Sequence, residues 1–176
     1  MQEEHEETNP QRRLGTGMYV MAWLVFGGLL VFFFSDVLDK QRNPNQSVST
    51  NYGADGAREV VLQRNRAGHY VTDGYINGEP VVFLLDTGAT GVAIPERIAR
   101  RLELPRGRAV QTQTANGTAV AYATRLQSVR VGDIELQGVA AAISPGLKMN
   151  EVLLGMSFLR HIEFTQRGNT LILKQI

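Results

Sequence analysis

The first candidate for chemistry in this sequence is an aspartate that follows a run of apolar residues. Val81-Val82-Phe83-Leu84-Leu85 leads directly into Asp86-Thr87-Gly88-Ala89-Thr90. A short apolar run of this kind suits a buried strand. It delivers a carboxyl into a loop at the strand end, a place from which it could do acid–base work. Gly88 permits a tight turn and the close approach of another backbone. Thr87 and Thr90 offer hydroxyls that can hydrogen-bond a carboxylate or one another. A purely structural Asx-turn is the alternative for the same residues. Other chemistries are poorly supplied. The chain has no cysteine, which removes thiol nucleophiles, disulfide scaffolds and Cys-based zinc sites. His5, His69 and His161 are the only histidines, which argues against a His-rich metal site, and no metal is expected. Ser157 and His161 fall four apart without a nucleophile elbow, so His161 is expected at the surface or a strand edge. Met149 and Met156 suit core or loop filling, and there is no Gly-rich phosphate loop.

The elements that would position Asp86 are mostly strands. Short β segments are expected at Val60–Leu62 and His69–Val71. Gly74–Ile76 and Val81–Leu85 flank Asn77-Gly78, a strong hairpin signal. A second Asn-Gly, Asn116-Gly117, separates Gln111–Thr114 from Ala119–Tyr122. Further strands are expected at Leu126–Val131, Ile134–Leu136, Val139–Ile143, Ile162–Phe164 and Thr170–Leu173. One helix is expected from Pro95 to about Leu102, with proline in its first turn and Ile98 and Leu102 on one side. A second short helix is expected after Gly155. Arg97, Arg100, Arg101, Arg106 and Arg108 form a basic cluster, best explained as the wet face of the Pro95 helix.

The length of 176 residues fits one domain plus appendages. Hydrophobic residues at 43% and charged residues at 20% exclude wholesale disorder. Eighteen basic against seventeen acidic residues leave +1, which points to no nucleic-acid partner. The N-terminal third is different in kind. From Leu14 to Ser35 no side chain is charged, and the 20 residues Gly15–Phe34 would span about 30 Å as a helix. That length predicts a transmembrane helix over 14–35 in contact with the lipid bilayer. The run ends Phe32-Phe33-Phe34-Ser35-Asp36, a poor signal-peptidase site, so a retained single-pass anchor is favoured over a cleaved signal. Arg12 and Arg13 next to the span place residues 1–13 in the cytoplasm as a tail. Residues 36–58, rich in Asn, Ser and Gly, read as a flexible linker with a reach of about 25–30 Å. Residues 59–176 form the domain.

Leu84-Leu85-Asp86-Thr87-Gly88-Ala89-Thr90 resembles the active-site loop of retropepsin-like aspartic proteases. Val152-Leu153-Leu154-Gly155-Met156 resembles the family's second signature, a hydrophobic pair followed by glycine. Gln113–Thr118 fits the tip of the hairpin flap between them. The resemblance runs from about Tyr70 to Leu173 and is greatest to the bacterial branch with an N-terminal anchor and a periplasmic domain. It implies an all-β, retropepsin-like closed barrel with one or two short helices, preceded by the transmembrane helix. It further implies an aspartic endopeptidase in which two carboxyls share one proton. This chain carries a single Asp-Thr-Gly, so the second aspartate would be Asp86 of another copy in a homodimer. The implied roles are acid or base for Asp86, a bond across the dimer axis for Thr87, and backbone access at Gly88. Ala89 and Thr90 would complete the loop and meet substrate. Thr114, Ala115, Asn116 and Gly117 would close over substrate, while Leu153, Leu154 and Gly155 would support the loop from below. The implied partners are a protein or peptide substrate and a second copy, with no cofactor, at the inner membrane with the domain in the periplasm.

Two rivals remain from the sequence. One is an inactive retropepsin-like domain that binds an extended peptide in the envelope. The other is a structural role in envelope assembly.

Overall fold

The computed structural model describes residues 10–54, 56–114 and 117–175. The chain divides into two compact units, Met1–Asp39 and Lys40–Ile176. Helix α1, Pro10–Arg42, supplies the first. Its stretch from Gly17 is long and apolar enough to cross a membrane. The large apolar side chains from Met18 to Leu38 are exposed along it. The helix outruns the expected span at Ser35 because Ser35–Arg42 contains no breaker. Pro44 then disfavours helical backbone at Asn43, and the helix stops.

In the second unit the elements in chain order are β1 (Thr50–Tyr52), β2 (Arg58–Gln63), β3 (Tyr70–Ile76), β4 (Glu79–Leu85), β5 (Val92–Pro95) and α2 (Glu96–Arg101). They continue with β6 (Ala109–Thr114), β7 (Gly117–Val131), β8 (Ile134–Ser144), β9 (Val152–Leu154), α3 (Met156–Leu159), β10 (Glu163–Arg167) and β11 (Thr170–Gln175). The larger sheet has the order β3-β4-β9-β5-β8-β7-β6, and an added β3–β7 pairing joins Tyr75 to Arg130 and Ile76 to Val129. That pairing closes the sheet into a barrel and leaves β6 as the outer arm of a β6–β7 hairpin. The smaller sheet has the order β1-β2-β11-β10. Phe83, Ile94, Leu126, Ile143, Leu154 and Phe158 are fully buried in the core. The architecture is the expected mostly-β closed barrel with two short helices beside it.

The Asn77-Gly78 signal behaves as expected. Ile76 pairs with Glu79, and the two turn residues have φ of 53° and 85°, the left-handed pair that a tight hairpin requires. The strands expected at 119–122 and 126–131 are one strand, β7. Those expected at 134–136 and 139–143 are likewise one, β8, with Gly138 at φ 63° absorbing a local irregularity.

The expected flexible linker at 36–58 is a correction. Its first residues are helical, Thr50–Tyr52 pair with β2, and Asn43 and Asn45 are buried. The Asn45 amide acts as an extra ladder rung between β2 and β3. Its Nδ2 donates to the carbonyls of Gln63 (2.9 Å) and Val71 (2.7 Å), and its Oδ1 accepts from the Gln63 amide (2.7 Å). The Asn45 carbonyl accepts from the Asp73 amide at 3.2 Å. An Asn side chain carries the same donor and acceptor as a peptide group, so a polar, coil-like composition conceals a structural clamp.

Asn43 Nδ2 donates to Asp73 Oδ1 at 2.6 Å, yet burial is the larger influence and pushes the Asp73 carboxyl above its ordinary range. The raised value means that the fold prefers the protonated acid. Folding therefore bears a cost that is absent at acid pH and grows as pH rises through the ordinary carboxylate range to the raised value. Asp73→Asn keeps an acceptor for Asn43 and removes the charge. Thermal unfolding should give the variant a higher Tm than the wild type at neutral pH. The gap should close near pH ~3, where the carboxyl is protonated in both states. A loss of Tm that persists in acid would contradict this account.

Candidate active site

The Asp86 loop is built by three strands that meet at their ends. β4 and β9 run parallel, with Phe83 opposite Val152, Leu84 opposite Leu153 and Leu85 opposite Leu154. β5 lies on the other side of β9, with Ala93 opposite Leu153. The segment from Asp86 to Gly91 therefore bridges from one flank of β9 to the other and passes over its end. β5 itself was not expected from the sequence. Its four residues are too short to show a period and run straight into Pro95.

Hydrogen bonds hold the bridge. The Asp86 amide donates to the Leu154 carbonyl (3.2 Å), the Ala89 amide to the Asp86 carbonyl (3.2 Å), and the Met156 amide to the Ala89 carbonyl (2.9 Å). The Gly88 amide donates to Asp86 Oδ1 at 2.8 Å, which fixes the carboxyl in an Asx-turn. Asp86 and Ala89 are half-buried, whereas Thr87, Gly88 and Thr90 are exposed. The arrangement presents a carboxyl at an open rim, with one oxygen oriented by a backbone donor.

Gly155 is the keystone of the packing. A Cβ there would stand 2.6 Å from the Ala89 carbonyl oxygen and closer still to that of Gly91. Only a residue without a side chain lets the loop settle on β9. Ser157 completes the support, accepting from the Val92 amide (3.0 Å) and donating to the Ala140 carbonyl (2.8 Å). Sequence reasoning weighed Ser157 only as a partner for His161. The structure makes it a positioning residue that ties β5 to β8, and its spacing from Asp86 gave no signal of this. His161 is exposed, as expected.

Thr114 and Gly117, expected in a flap, fall on the β6–β7 hairpin. Thr114 stands opposite Gly117 at its end, and Thr114 Oγ1 donates to the Gly117 carbonyl at 2.7 Å. Ala115 and Asn116, expected at the tip, lie outside the described residues. The loop's hydrogen bonds described above run within the loop and to β9 and α3. The base of the hairpin is braced by Arg106, whose guanidinium lies 4.4 Å from the centre of the Tyr122 ring and also pairs with Glu96. Arg106 first, and Arg100 second, hold the Glu96 carboxyl below its ordinary range. The basic cluster is thus more than a wet helix face. Arg101 donates to the Pro80 carbonyl and Arg97 to Asn150 Oδ1. Among the described residues, no three His, Asp or Glu side chains converge on a possible metal position. A cavity of about 560 Å³ between the β3–β4 hairpin and α2 is lined by Asp73, Tyr75, Arg97 and Arg101 and contains none of the expected site residues.

The family described as gag-polyprotein putative aspartyl protease matches residues 72–161, a span that holds both the Asp86 loop and Gly155. The chain belongs to this family. Its fold is similar to that of a retropepsin-like aspartic protease from Rickettsia conorii, at 27% identity and a TM-score of 0.56, covering 73% of this chain and 95% of that one. An uncharacterized protein of Sinorhizobium sp is 34% identical over 116 residues, 64% of this chain and 50% of the relative. An uncharacterized protein of Rickettsia prowazekii (strain Madrid E) is 28% identical over 123 residues, 68% of this chain and 50% of the relative. The chain spans about half the length of these curated relatives.

Gly155→Ala should force the loop off β9. We expect a loss of stability of about 1–3 kcal/mol, the usual cost of overpacking, read by denaturant unfolding. Any cleavage activity should fall further than that loss of folded protein explains. A variant as stable as the wild type would show that the loop does not rest on Gly155.

Proposed function

We propose that this protein is a membrane-anchored aspartic endopeptidase that acts as a homodimer. Asp86 of each copy supplies one carboxyl of a dyad. One carboxylate takes a proton from the attacking water, and the protonated partner donates to the scissile carbonyl. The observation that carries this reading is the Asp86 loop, with its half-buried carboxyl oriented by Gly88 and seated on Gly155. Thr87, exposed beside it, has the place to bond across a two-fold axis, and Ala89 and Thr90 edge the rim where substrate would lie. Thr114 to Gly117 would cover an extended polypeptide and exclude water. Two charges about 3 Å apart repel by about 5 kcal/mol at an effective dielectric near 20, so the dyad holds a single proton over a broad acidic-to-neutral range. The exposed apolar surface of α1 supports a single-pass anchor in the inner membrane, and Arg12 and Arg13 support a cytoplasmic N-terminus with the domain in the periplasm.

The Asx-turn at Asp86 is also what an inactive, peptide-binding domain would show. Asp86→Asn separates the two, because the Asn oxygen can still accept from Gly88 while the acid–base function is gone. The full chain in detergent micelles should cleave an unfolded protein with a bell-shaped pH profile. Asp86→Asn should lower that rate by about 10²–10⁴-fold with peptide binding and fold retained. Equal rates in variant and wild type, or a flat profile, would overturn the dyad.

A further inference from the structure

The cavity of about 560 Å³ beside α2 holds charges of both signs that do not meet. Its wall on the sheet side is the face of the β3–β4 hairpin turned from the core. Along β3, Thr72, Gly74 and Ile76 are buried, whereas Asp73 is half-buried and Tyr75 exposed. Asp73 stands opposite Val82 and Tyr75 opposite Pro80, so apolar residues of β4 lie beside the acid. The other wall is α2, where Arg97 and Arg101, at i and i+4, share one side of the helix.

Both arginines are held by uncharged partners. Arg97 donates to Asn150 Oδ1 at 2.6 Å and Arg101 to the Pro80 carbonyl at 2.8 Å. A guanidinium carries several N–H donors, so one bond leaves the others available. The acid of α2, Glu96, is engaged by Arg100 and Arg106 instead. Among the described residues, neither Arg97 nor Arg101 forms an ion pair with Asp73. The Asp73 carboxyl is bonded to the neutral Asn43 amide, and burial pushes it above its ordinary range. An anion left in that setting gains when a cation reaches it. The cavity thus has one wall that attracts positive charge and one that attracts negative charge.

We propose that this cavity binds a short peptide with free ends, its α-ammonium on Asp73 and its carboxylate on Arg97 and Arg101. A ligand with negative charge alone would bring like charge to Asp73, and one with positive charge alone would meet two guanidinium groups. An uncharged ligand would desolvate all three without compensation. A zwitterion suits both walls, and a planar carboxylate matches the fork of a guanidinium. Size sets the length. At about 3.3–3.6 Å per residue an extended di- or tripeptide is about 7–11 Å long, and a cavity in the usual range for small ligands takes such a molecule whole. Small apolar side chains would rest on Val82 and Pro80, which also line the cavity. The site goes beyond the proposed catalytic reading and does not rest on it, because no residue of the Asp86 loop lines the cavity.

Calorimetric titration of the full chain in detergent micelles tests the site, with the dipeptide Ala-Ala as probe. Ala-Ala should bind. Its N-acetyl form, which lacks the ammonium, and its C-terminal amide, which lacks the carboxylate, should each bind about tenfold or more weakly, the scale of a lost charge-assisted bond. Asp73→Asn should weaken Ala-Ala by a similar factor yet leave the affinity for the N-acetyl form unchanged. Arg97→Gln and Arg101→Gln should weaken Ala-Ala yet leave the affinity for the amide unchanged. General unfolding does not reproduce such a match of side chain to ligand group. Asp86→Asn should bind Ala-Ala as the wild type does. Binding that Asp86→Asn abolishes would place the peptide at the Asp86 loop and overturn the second site. Equal affinity for Ala-Ala and both blocked forms would overturn it too. Binding of phosphatidylethanolamine doped into the micelles, without binding of Ala-Ala, would overturn the peptide in favour of a lipid headgroup.

Discussion

The seating of the Asp86 loop on Gly155 is the contact on which the site depends. The carbonyls of Ala89 and Gly91 approach so closely that position 155 accepts no side chain. Around that contact the pairings follow in order. β9 lies between β4 and β5, the loop crosses its end, and α3 starts by donating to Ala89. A carboxyl at a strand end would otherwise sit on a mobile turn. Here its position is set by a sheet on two sides and a backbone donor on a third, which is the kind of preorganisation acid–base chemistry requires.

Much of this was legible in the sequence. The apolar run before Asp86, the Asn-Gly at 77–78 and the Val152–Gly155 segment each carry a local physical signal, through burial, left-handed backbone and small size respectively. What stayed hidden depends on partners far away in the chain. β5 is too short to display a period. Ser157 acquires its role only because Val92 and Ala140 arrive beside it. Asn45 belongs to a polar stretch whose composition suits coil, and nothing local shows that its amide completes a ladder between β2 and β3. Long strands were also divided too readily. β7 and β8 each continue through positions that resemble turns, because a paired neighbour holds them extended.

The arginines of α2 illustrate the same limit from the side of charge. On a helix wheel they read as solvated. In the fold Glu96 gathers Arg100 and Arg106, and Arg106 covers Tyr122 at the base of the β6–β7 hairpin. Exposed ion pairs of this kind contribute little to stability. Arg106 nonetheless links α2 to the base of the β6–β7 hairpin through Glu96 and Tyr122.

The position of β9 has a temporal meaning. Its neighbours β4 and β5 are complete by Pro95, yet the strand between them comes from Val152–Leu154. During synthesis the aspartate emerges well before the residues that give it a seat, and closing so long a loop is a slow step of folding. A nascent chain that has not yet reached Val152 therefore holds the aspartate without its platform.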